Sequence, residues 1–177
     1  MSVYIGPIGQ TGGVGFSAPQ QNLCQVSITH PTPAITLSVV GTGDKDLDPA
    51  VYPSNFVTLL DGYEQQLNKG TVFETLPDGR VKILVSVYVT VTAYADIQHS
   101  ANNTTAGAAF SIERGAVTAL SARSVHAKLP NTGDIGNISG VGSFVAEAGD
   151  IVGIALASNV TGNFNIRASS LVFEAFF

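Results

Sequence analysis

The sequence feature that most constrains the fold is a strict alternation of apolar and other residues from Val81 to Val91. Valine or isoleucine occupies every odd position of this run, with Lys82 and Ser86 among the residues between them. A period of two places alternate side chains on opposite faces of an extended chain, whereas a helix repeats its apolar positions every three or four residues. Branched side chains also favour strands. We therefore predict one strand over residues 81–92 with one face in the core.

Shorter segments of the same kind recur along the chain, beginning with the alternating apolar positions that start at Cys24. Turn signals such as Pro77-Asp78-Gly79 and Asn131-Thr132-Gly133 separate many of them. Short strands with regular turns are typical of a sandwich or barrel. We expect an all-β protein, in which a short helix near Asp61–Asn68 is the one rival element. Further strands are predicted at 56–60, 71–75, 107–113, 116–121, 141–147, 150–157 and 164–176.

The last of these strands contains an irregularity. Apolar residues occupy even positions up to Ala168 and odd positions from Leu171 onward. One added residue in a strand re-aims the side chains that follow it, as a β-bulge does. We therefore predict a bulge around Ser169-Ser170.

The N-terminal segment has a different repeat, a glycine at every third position: Gly6, Gly9, Gly12 and Gly15. A collagen triple helix requires this spacing, because only glycine fits at its axis. A flexible glycine-rich arm is the alternative interpretation. In both cases we predict that residues 1–22 form an arm that attaches the protein to a larger assembly, and that residues 23–177 form the β domain.

The composition indicates that part of the surface is buried between subunits. Charged residues make up 12% of the chain, about half of the share of about 25% that is usual for soluble domains. Apolar surface that a monomer cannot cover with charge is typical of an interaction site. Leu84 and Tyr88, on the second face of the 81–92 run, are the candidate interface residues.

The charge and the absence of targeting patterns exclude several partners. The formal net charge is −5 with only eight Lys and Arg residues, which argues against nucleic acid or an anionic membrane as a partner. The sequence contains no signal-peptide pattern and no apolar run approaching about 18 residues. We therefore expect a protein made in the cytoplasm of its host, with no signal peptide and no membrane anchor of its own.

Cysteine and histidine supply no metal site in this sequence. Cys24 is the single cysteine and lies in an alternating apolar run, which predicts a buried thiol. His30, His99 and His126 lie in separate polar contexts without metal-ligand spacing, so we expect them on the surface or in turns.

The sequence offers few other candidates for a metal-binding or catalytic site. Asp44, Asp46 and Asp48 alternate as in a calcium loop, but the central glycine and the distal glutamate of such a loop are missing. A solvated acidic loop is the favoured interpretation, and calcium binding there stays open. A Gly-x-Ser-x-Gly nucleophile motif is absent. We predict no catalytic site, no metal and no cofactor, and hence a protein that is not an enzyme.

Taken in order, several motifs resemble those of a known family. Phe73, Gly79 six residues later, and the alternating Val81, Ile83 and Val85 are similar to the core signature of the globular head of complement's first component. In that family, however, aromatic residues usually stand where this chain has Val81, Ile83 and Val85.

Two further motifs support the resemblance. The segment 145–152 resembles an apolar strand, a tight turn at Gly149-Asp150 and a following strand. The segment Ser169-Ser170-Leu171 resembles the start of the family's final strand. The resemblance implies a jelly-roll β-sandwich of the wider tumour-necrosis-factor-like group, assembled as a compact homotrimer, and such heads often follow a collagen-like stalk.

Fold and composition together favour a structural function. The first hypothesis is a trimeric capsid decoration (cement) protein or short head spike, located on the virion surface and bound to the major capsid protein or another virion protein. The alternative is the receptor-binding knob of a viral or spore-surface fibre that recognises a host glycan or protein. A secreted ligand or lectin of the complement type is disfavoured by the missing signal peptide.

Overall fold

The computed structural model describes residues 24–30, 35–60, 64–69, 71–121 and 125–175. In the first of these ranges only the side chain of Gln25 is described, and in residues 64–69 only the backbone is described. The arm of residues 1–22, with Gly6, Gly9, Gly12 and Gly15, lies outside the described residues, as do the side chains of Cys24 and His30.

Strands make up most of the described residues, which confirms the all-β prediction. A 3-10 turn at Pro53–Asn55 is their one helical element, and none of their helices has the length and apolar character needed to cross a bilayer. The rival helix near 61–68 is wrong, since Glu64–Lys69 is a strand. The thirteen strands are β1 Cys24–His30, β2 Ile35–Val39, β3 Val57–Thr58, β4 Glu64–Lys69, β5 Phe73–Thr75, β6 Val81–Ile83, β7 Val87–His99, β8 Thr104–Arg114, β9 Val117–Leu120, β10 Val125–Leu129, β11 Gly136–Ala146, β12 Ile151–Ser158 and β13 Gly162–Ala175.

The strands form two antiparallel sheets that pack face to face as a jelly-roll sandwich. Sheet one has the order β11-β7-β13-β1-β4, with β2 also paired to β13. Sheet two has the order β10-β8-β12-β6-β5, with β3 paired to β12 and β9 paired to β8. Inward side chains of both sheets, including Ile83, Ile97, Leu156 and Phe173, are fully buried between them. Burial of this apolar surface is the main stabilising term.

The alternating run at 81–92 is divided between the two sheets, so the prediction of one strand is wrong. Residues 81–83 belong to sheet two and the chain re-enters sheet one at Val87. At the crossing, the Leu84 N–H donates to the Val72 carbonyl at 2.7 Å, and Val85, predicted to face the core, is 46% exposed. The alternation continues on both sides because each half faces the same core from an opposite sheet.

The predicted bulge in the last strand exists, but it lies upstream of the expected position. The pairing of β13 with β7 shifts between Ile166 and Ala168, which leaves Arg167 as the added residue. Ser169 already points inward and is buried. Because Ala168 is apolar, the sequence pattern grouped it with the inward-facing residues before it. In the structure the register of β13 has already shifted at this residue.

The turn predicted at Gly149-Asp150 is present. The Asp150 N–H donates to the Glu147 carbonyl at 3.0 Å, and Gly149 has a φ of +98°. A residue with a Cβ atom is strained at that φ, whereas glycine is not.

Gly149→Val should therefore lower the melting temperature by about 2 to 8 °C, from a strain of about 1 to 2 kcal/mol. Nothing lies within 4 Å of the added Cβ, so the effect measures backbone strain and not a clash. Ala148→Val, at the neighbouring exposed turn position, is the control and should change melting little. Equal melting of the two variants, measured by differential scanning calorimetry, would contradict the strain argument.

The outer face of sheet two is covered by the protein's own chain. Leu47 and Phe56, from the segment between β2 and β3, are buried against small residues of β8 and β12, including Ala109 and Ala155. A Cβ atom at Gly107 would lie 2.9 Å from Leu47 Cδ1, so glycine permits this close contact. The central strands β8 and β12 of sheet two are thus covered on both sides.

Candidate interaction face

The outer face of sheet one carries exposed apolar side chains. We define the sheet-one face as the outward side chains of β7, β11 and β13. Tyr88 is 54% exposed, Val141 is 69% exposed and Val145 is 70% exposed. Tyr88 pairs directly with Val145, and Thr92 pairs with both Val141 and Val172. Directly paired side chains are close enough to contact each other, so these residues form two largely apolar rows across the face.

Polar groups on the sheet-one face mostly satisfy one another. The Thr90 and Ser143 hydroxyls lie 3.0 Å apart between the two apolar rows. Asp96 accepts from Asn137 Nδ2 at 3.3 Å, and its hydrogen bond with Tyr94 raises the pKa of the Tyr94 phenol. Asp96 and Glu174 are the charged residues of this face apart from Arg167 at the bulge. The face therefore combines exposed apolar area with little charge.

The ion pairs described in the structure all lie on sheet two and its turns. Arg80 contacts Asp78 and Glu113, the latter across to β8, and Lys82 contacts Glu74 at 3.4 Å between β6 and β5. Among the described residues, the ion-paired charges are thus concentrated on sheet two and its turns. This asymmetry marks the sheet-one face as the surface suited to burial against another subunit.

Arg114 and Asp150 form the most buried of these pairs. Asp150 is 1% exposed and accepts from Arg114 Nε at 2.8 Å and Nη2 at 2.7 Å, while the Glu147 N–H donates to it at 2.8 Å. The hydrogen bond from Arg114 is the largest cause of the lowered pKa of Asp150, and burial opposes it. The bidentate geometry holds the turn after β11 against β8.

This cluster predicts a pH dependence of stability. Because folding lowers the Asp150 pKa below its ordinary value of 3.8, the stabilisation is complete above that value and is lost as the pH falls through the folded pKa. Asp150→Asn should lower the free energy of unfolding by about 1 to 3 kcal/mol at about pH 7. Urea unfolding should show the difference between the native protein and the variant shrinking below about pH 4.

Glu147→Gln is the matched control for this experiment, since Glu147 is an exposed partner of the same arginine. An exposed pair contributes little, about 0 to 1 kcal/mol, so this variant should keep the acid dependence of the native protein. A constant difference between native protein and Asp150→Asn across the acid range would contradict the role given to the Asp150 carboxylate.

Most residues of the motif that resembles the complement globular head lie in the core or in a turn. Phe73, Val81 and Ile83 are buried in the core, and Gly79 has a φ of +80° in the turn between β5 and β6. They explain how β5 and β6 form one edge of sheet two. They do not lie on the exposed face.

The two interface candidates lie in different places. Tyr88 lies on the sheet-one face, and Leu84, also exposed, lies in the crossing between the sheets. The two residues therefore do not share one face of a single strand, contrary to the prediction. Participation of either in an interface stays a prediction.

Val141 and Val145 were missed as candidates because glycines obscure the pattern of β11. Gly140 and Gly142 face inward, where added Cβ atoms would lie 2.8 Å from Val125 Cγ2 and 2.6 Å from Phe110 Cε2. Glycine at alternate positions of a strand indicates close packing on one side. This spacing of glycines is present in the sequence, and it predicts that the neighbouring valines face outward.

His99, expected on the surface or in a turn, is buried. Its Nδ1 accepts from the Ala101 N–H at 3.0 Å and lies 3.0 Å from Thr104 Oγ1, and its ring meets the edge of Phe164. Burial lowers the pKa of the His99 imidazole. His126 is exposed, as predicted. His99 therefore joins the loop after β7 to the core.

The acidic loop is solvated, as expected, and is held by internal hydrogen bonds. Asp44 and Asp46 are exposed, Asp44 Oδ1 accepts from the Asp46 N–H, and Asp48 Oδ1 accepts from the Ala50 N–H. Buried Leu47 anchors the loop to sheet two. In the described part of the chain, no group of three or more His, Cys, Asp or Glu side chains is placed to hold a metal ion.

Comparison with known proteins finds no matching family model and no matching curated protein. Solved structures do match. Murine APRIL at pH 5.0 aligns with a TM-score of 0.56 and 13% identity, covering 86% of this chain and 98% of that chain.

Two further solved structures have the same arrangement. Eiger TNF from S. frugiperda aligns with a TM-score of 0.56 at 8% identity, covering 87% of this chain and 92% of that chain. The globular domain of zebrafish complement 1qA protein aligns with a TM-score of 0.53 at 9% identity, covering 85% of this chain and 94% of that chain. These likenesses confirm the tumour-necrosis-factor-like jelly-roll fold predicted from the sequence.

Proposed function

We propose that this protein is a subunit of a trimeric, non-catalytic head that assembles through the sheet-one face. The observation that carries the proposal is the pair of apolar rows containing Tyr88, Val141 and Val145, exposed on a face with few charges. Interfaces of permanent oligomers are depleted in charge and enriched in such residues, Tyr among them. Sedimentation of the native protein tests it directly, since a monomer at micromolar concentration would contradict the proposal.

The assembly is a closed ring of three copies. The resemblance to complement-type heads implies this number, and the segment that covers the central strands of sheet two makes the uncovered sheet-one face the better candidate for packing. Closed point-group symmetry also satisfies every copy of the interface, which limits further aggregation. A trimer thus accounts for exposed apolar area in a chain that is only 12% charged.

The specific role that we propose is decoration of a virion exterior. In this arrangement residues 1–22 bind the major capsid protein or another virion protein, and the sandwich projects outward as the cap. Within the arm, Gly6–Gly15 and Pro19–Asn22 contain too little apolar surface to form a core, so a neighbour would supply their packing and hydrogen bonds. Binding to the assembled shell alone would stabilise that shell by mass action.

Deletion of residues 1–16 should leave a folded trimer that no longer binds particles. The reason is that the fold of the sandwich is complete from β1 to β13 within residues 24–175. Co-sedimentation of purified particles with native and truncated protein measures the binding, and circular dichroism with sedimentation velocity controls for fold and assembly. Undiminished binding by the truncated protein would move attachment to the sandwich.

A receptor-binding knob is the second candidate. It is favoured by the hydrogen bonds that hold the loops to each other at one end of the sandwich. Asn102 Oδ1 accepts from both the backbone N–H and the hydroxyl of Thr132, at 2.6 and 2.8 Å. Gln98 Nε2 donates to the Gly133 carbonyl at 2.8 Å. Loops held to each other in this way suit recognition of a ligand with little loss of conformational entropy.

A further inference from the structure

A small pocket of about 140 Å³ lies at this loop end of the sandwich. Lys45 lines it from the loop after β2, Thr104 from the start of β8 and Lys128 from the end of β10. β8 begins just after β7 ends, whereas Tyr88 and Val145 lie at the beginning of β7 and the end of β11. The pocket is therefore at the end of the molecule opposite the Tyr88–Val145 pair.

The pocket gathers two cations that have no carboxylate partner in the described structure. Arg80, Lys82 and Arg114 are each engaged in ion pairs. Lys45 and Lys128 make no ion pair with a described acidic residue, yet they line the same concavity. Two ammonium groups that line one pocket repel each other, so an anion bound between them is favoured electrostatically.

Asp44 and Asp46 flank Lys45 in the sequence, and neither lines the pocket. Asp44 Oδ1 accepts from the Asp46 N–H at 3.0 Å and its Oδ2 accepts from the Tyr52 hydroxyl at 3.1 Å. Among the described residues that line the pocket, none is acidic. The negative net charge of the chain gives no general attraction for anions, so an anion that binds does so through these local groups.

The wall of the pocket is rigid. Asn103 has a φ of +54°, unusual for a residue with a Cβ atom, and its N–H donates to the Pro130 carbonyl at 2.9 Å. The Thr105 N–H donates to Asn159 Oδ1 at 2.6 Å, and buried His99 packs beside Thr104. Asparagine tolerates this left-handed conformation better than most residues, so these hydrogen bonds, and not backbone strain, define the shape of the pocket.

We propose that this pocket binds the carboxylate of an acidic sugar. Lys45 and Lys128 supply charge-assisted donors for the carboxylate, as lysines do without a fixed angular requirement. The Asn103 amide, exposed at the rim, donates and accepts as ring hydroxyls require. Exposed Pro130 provides an apolar surface for the C–H face of the ring. The small volume admits a terminal unit and not the interior of a polymer.

The test is a titration of the full-length protein with glucuronate, followed by ¹⁵N chemical shifts and calorimetry. Shifts should concentrate at residues 103–105 and 128–130. Glucose, which lacks the carboxylate, should not bind, and acetate, which lacks the ring, should bind at least about tenfold more weakly than glucuronate.

Substitutions then locate the binding groups. Lys45→Gln and Lys128→Gln should each weaken glucuronate binding by about tenfold or more, since each removes one charged hydrogen bond. Lys82→Gln removes the same charge from the β6–β5 pair on sheet two and should leave binding within about twofold of native. Higher salt should weaken binding of the native protein.

Two results would overturn the proposal. Equal glucuronate binding by the native protein and the Lys45→Gln/Lys128→Gln double variant would place binding elsewhere. Inorganic phosphate and acetate binding as tightly as glucuronate would reduce the pocket to a simple anion site. The pocket is formed within one chain, so sedimentation of the same samples separates this outcome from failure of the trimer.

Discussion

Val145→Asp should convert the proposed trimer to monomers at micromolar concentration. Val145 is 70% exposed and pairs directly with Tyr88 in one of the two apolar rows. An aspartate there places a charge without a partner in a desolvated interface, which costs about 2 to 5 kcal/mol per interface. The dissociation constant should therefore rise by at least about 30-fold for each interface. Sedimentation velocity over a concentration series measures the change.

Val117→Asp is a closely matched control. Val117 is 67% exposed, is the same residue type in a strand, and lies on β9 of sheet two. The same substitution there should leave the assembly intact, and circular dichroism should show both variants folded. Dissociation of Val117→Asp with an intact Val145→Asp trimer would assign the interface to sheet two.

Tyr88→Asp should dissociate the trimer in the same way as Val145→Asp, because the two residues are cross-strand partners on the sheet-one face. Leu84, in the crossing between sheets, provides the contrast. If Leu84→Asp alone disrupts assembly, the interface lies along the edge of the sandwich and not across the sheet-one face.

Phe173→Ala should lower the free energy of unfolding by about 3 to 5 kcal/mol, the largest stability effect that we expect from a single substitution. Phe173 is fully buried on β13, and its ring centroid lies 5.9 Å from that of Phe73 on β5. The pair therefore connects sheet one to sheet two across the core. The cavity left by alanine removes both the buried area and this contact.

Asn165→Ala, an exposed position on the same strand, is the control and should change stability by no more than about 0.5 kcal/mol. Urea unfolding at one fixed protein concentration makes the comparison, since assembly adds stability that depends on concentration. A loss below about 1 kcal/mol for Phe173→Ala would mean that the two sheets do not depend on this contact.

Features that depend on neighbouring residues were predicted well from the sequence. The period of two around Val81 to Val91 indicated extended structure, and the all-β class followed. Gly149-Asp150 indicated a tight turn, and Gly149 has the positive φ that excludes most other residues. Backbone sterics and side-chain alternation act over a few residues, so a single sequence contains them.

Features that depend on distant residues were predicted less well. Whether Val85 lies in the core or at a crossing depends on where the chain passes from one sheet to the other, and alternation is the same in both cases. The position of the bulge depends on the pairing of β13 with β7, which places Ile166 opposite Ile97 and Ala168 opposite Asp96. The burial of His99 depends on Phe164, from a strand far along the chain.

The candidate sites divide in the same way. Tyr88 was identified from its position in an alternating run, whereas Val141 and Val145 became its neighbours only through the register of β7 and β11. The sequence contains Lys45 and Lys128 as unremarkable surface residues, and the sandwich places them in one pocket. By itself the sequence determined that strands form, where they turn and which face of each is apolar. Only the tertiary structure decided which apolar face is covered and which stays exposed, because that depends on contacts between residues far apart in the chain.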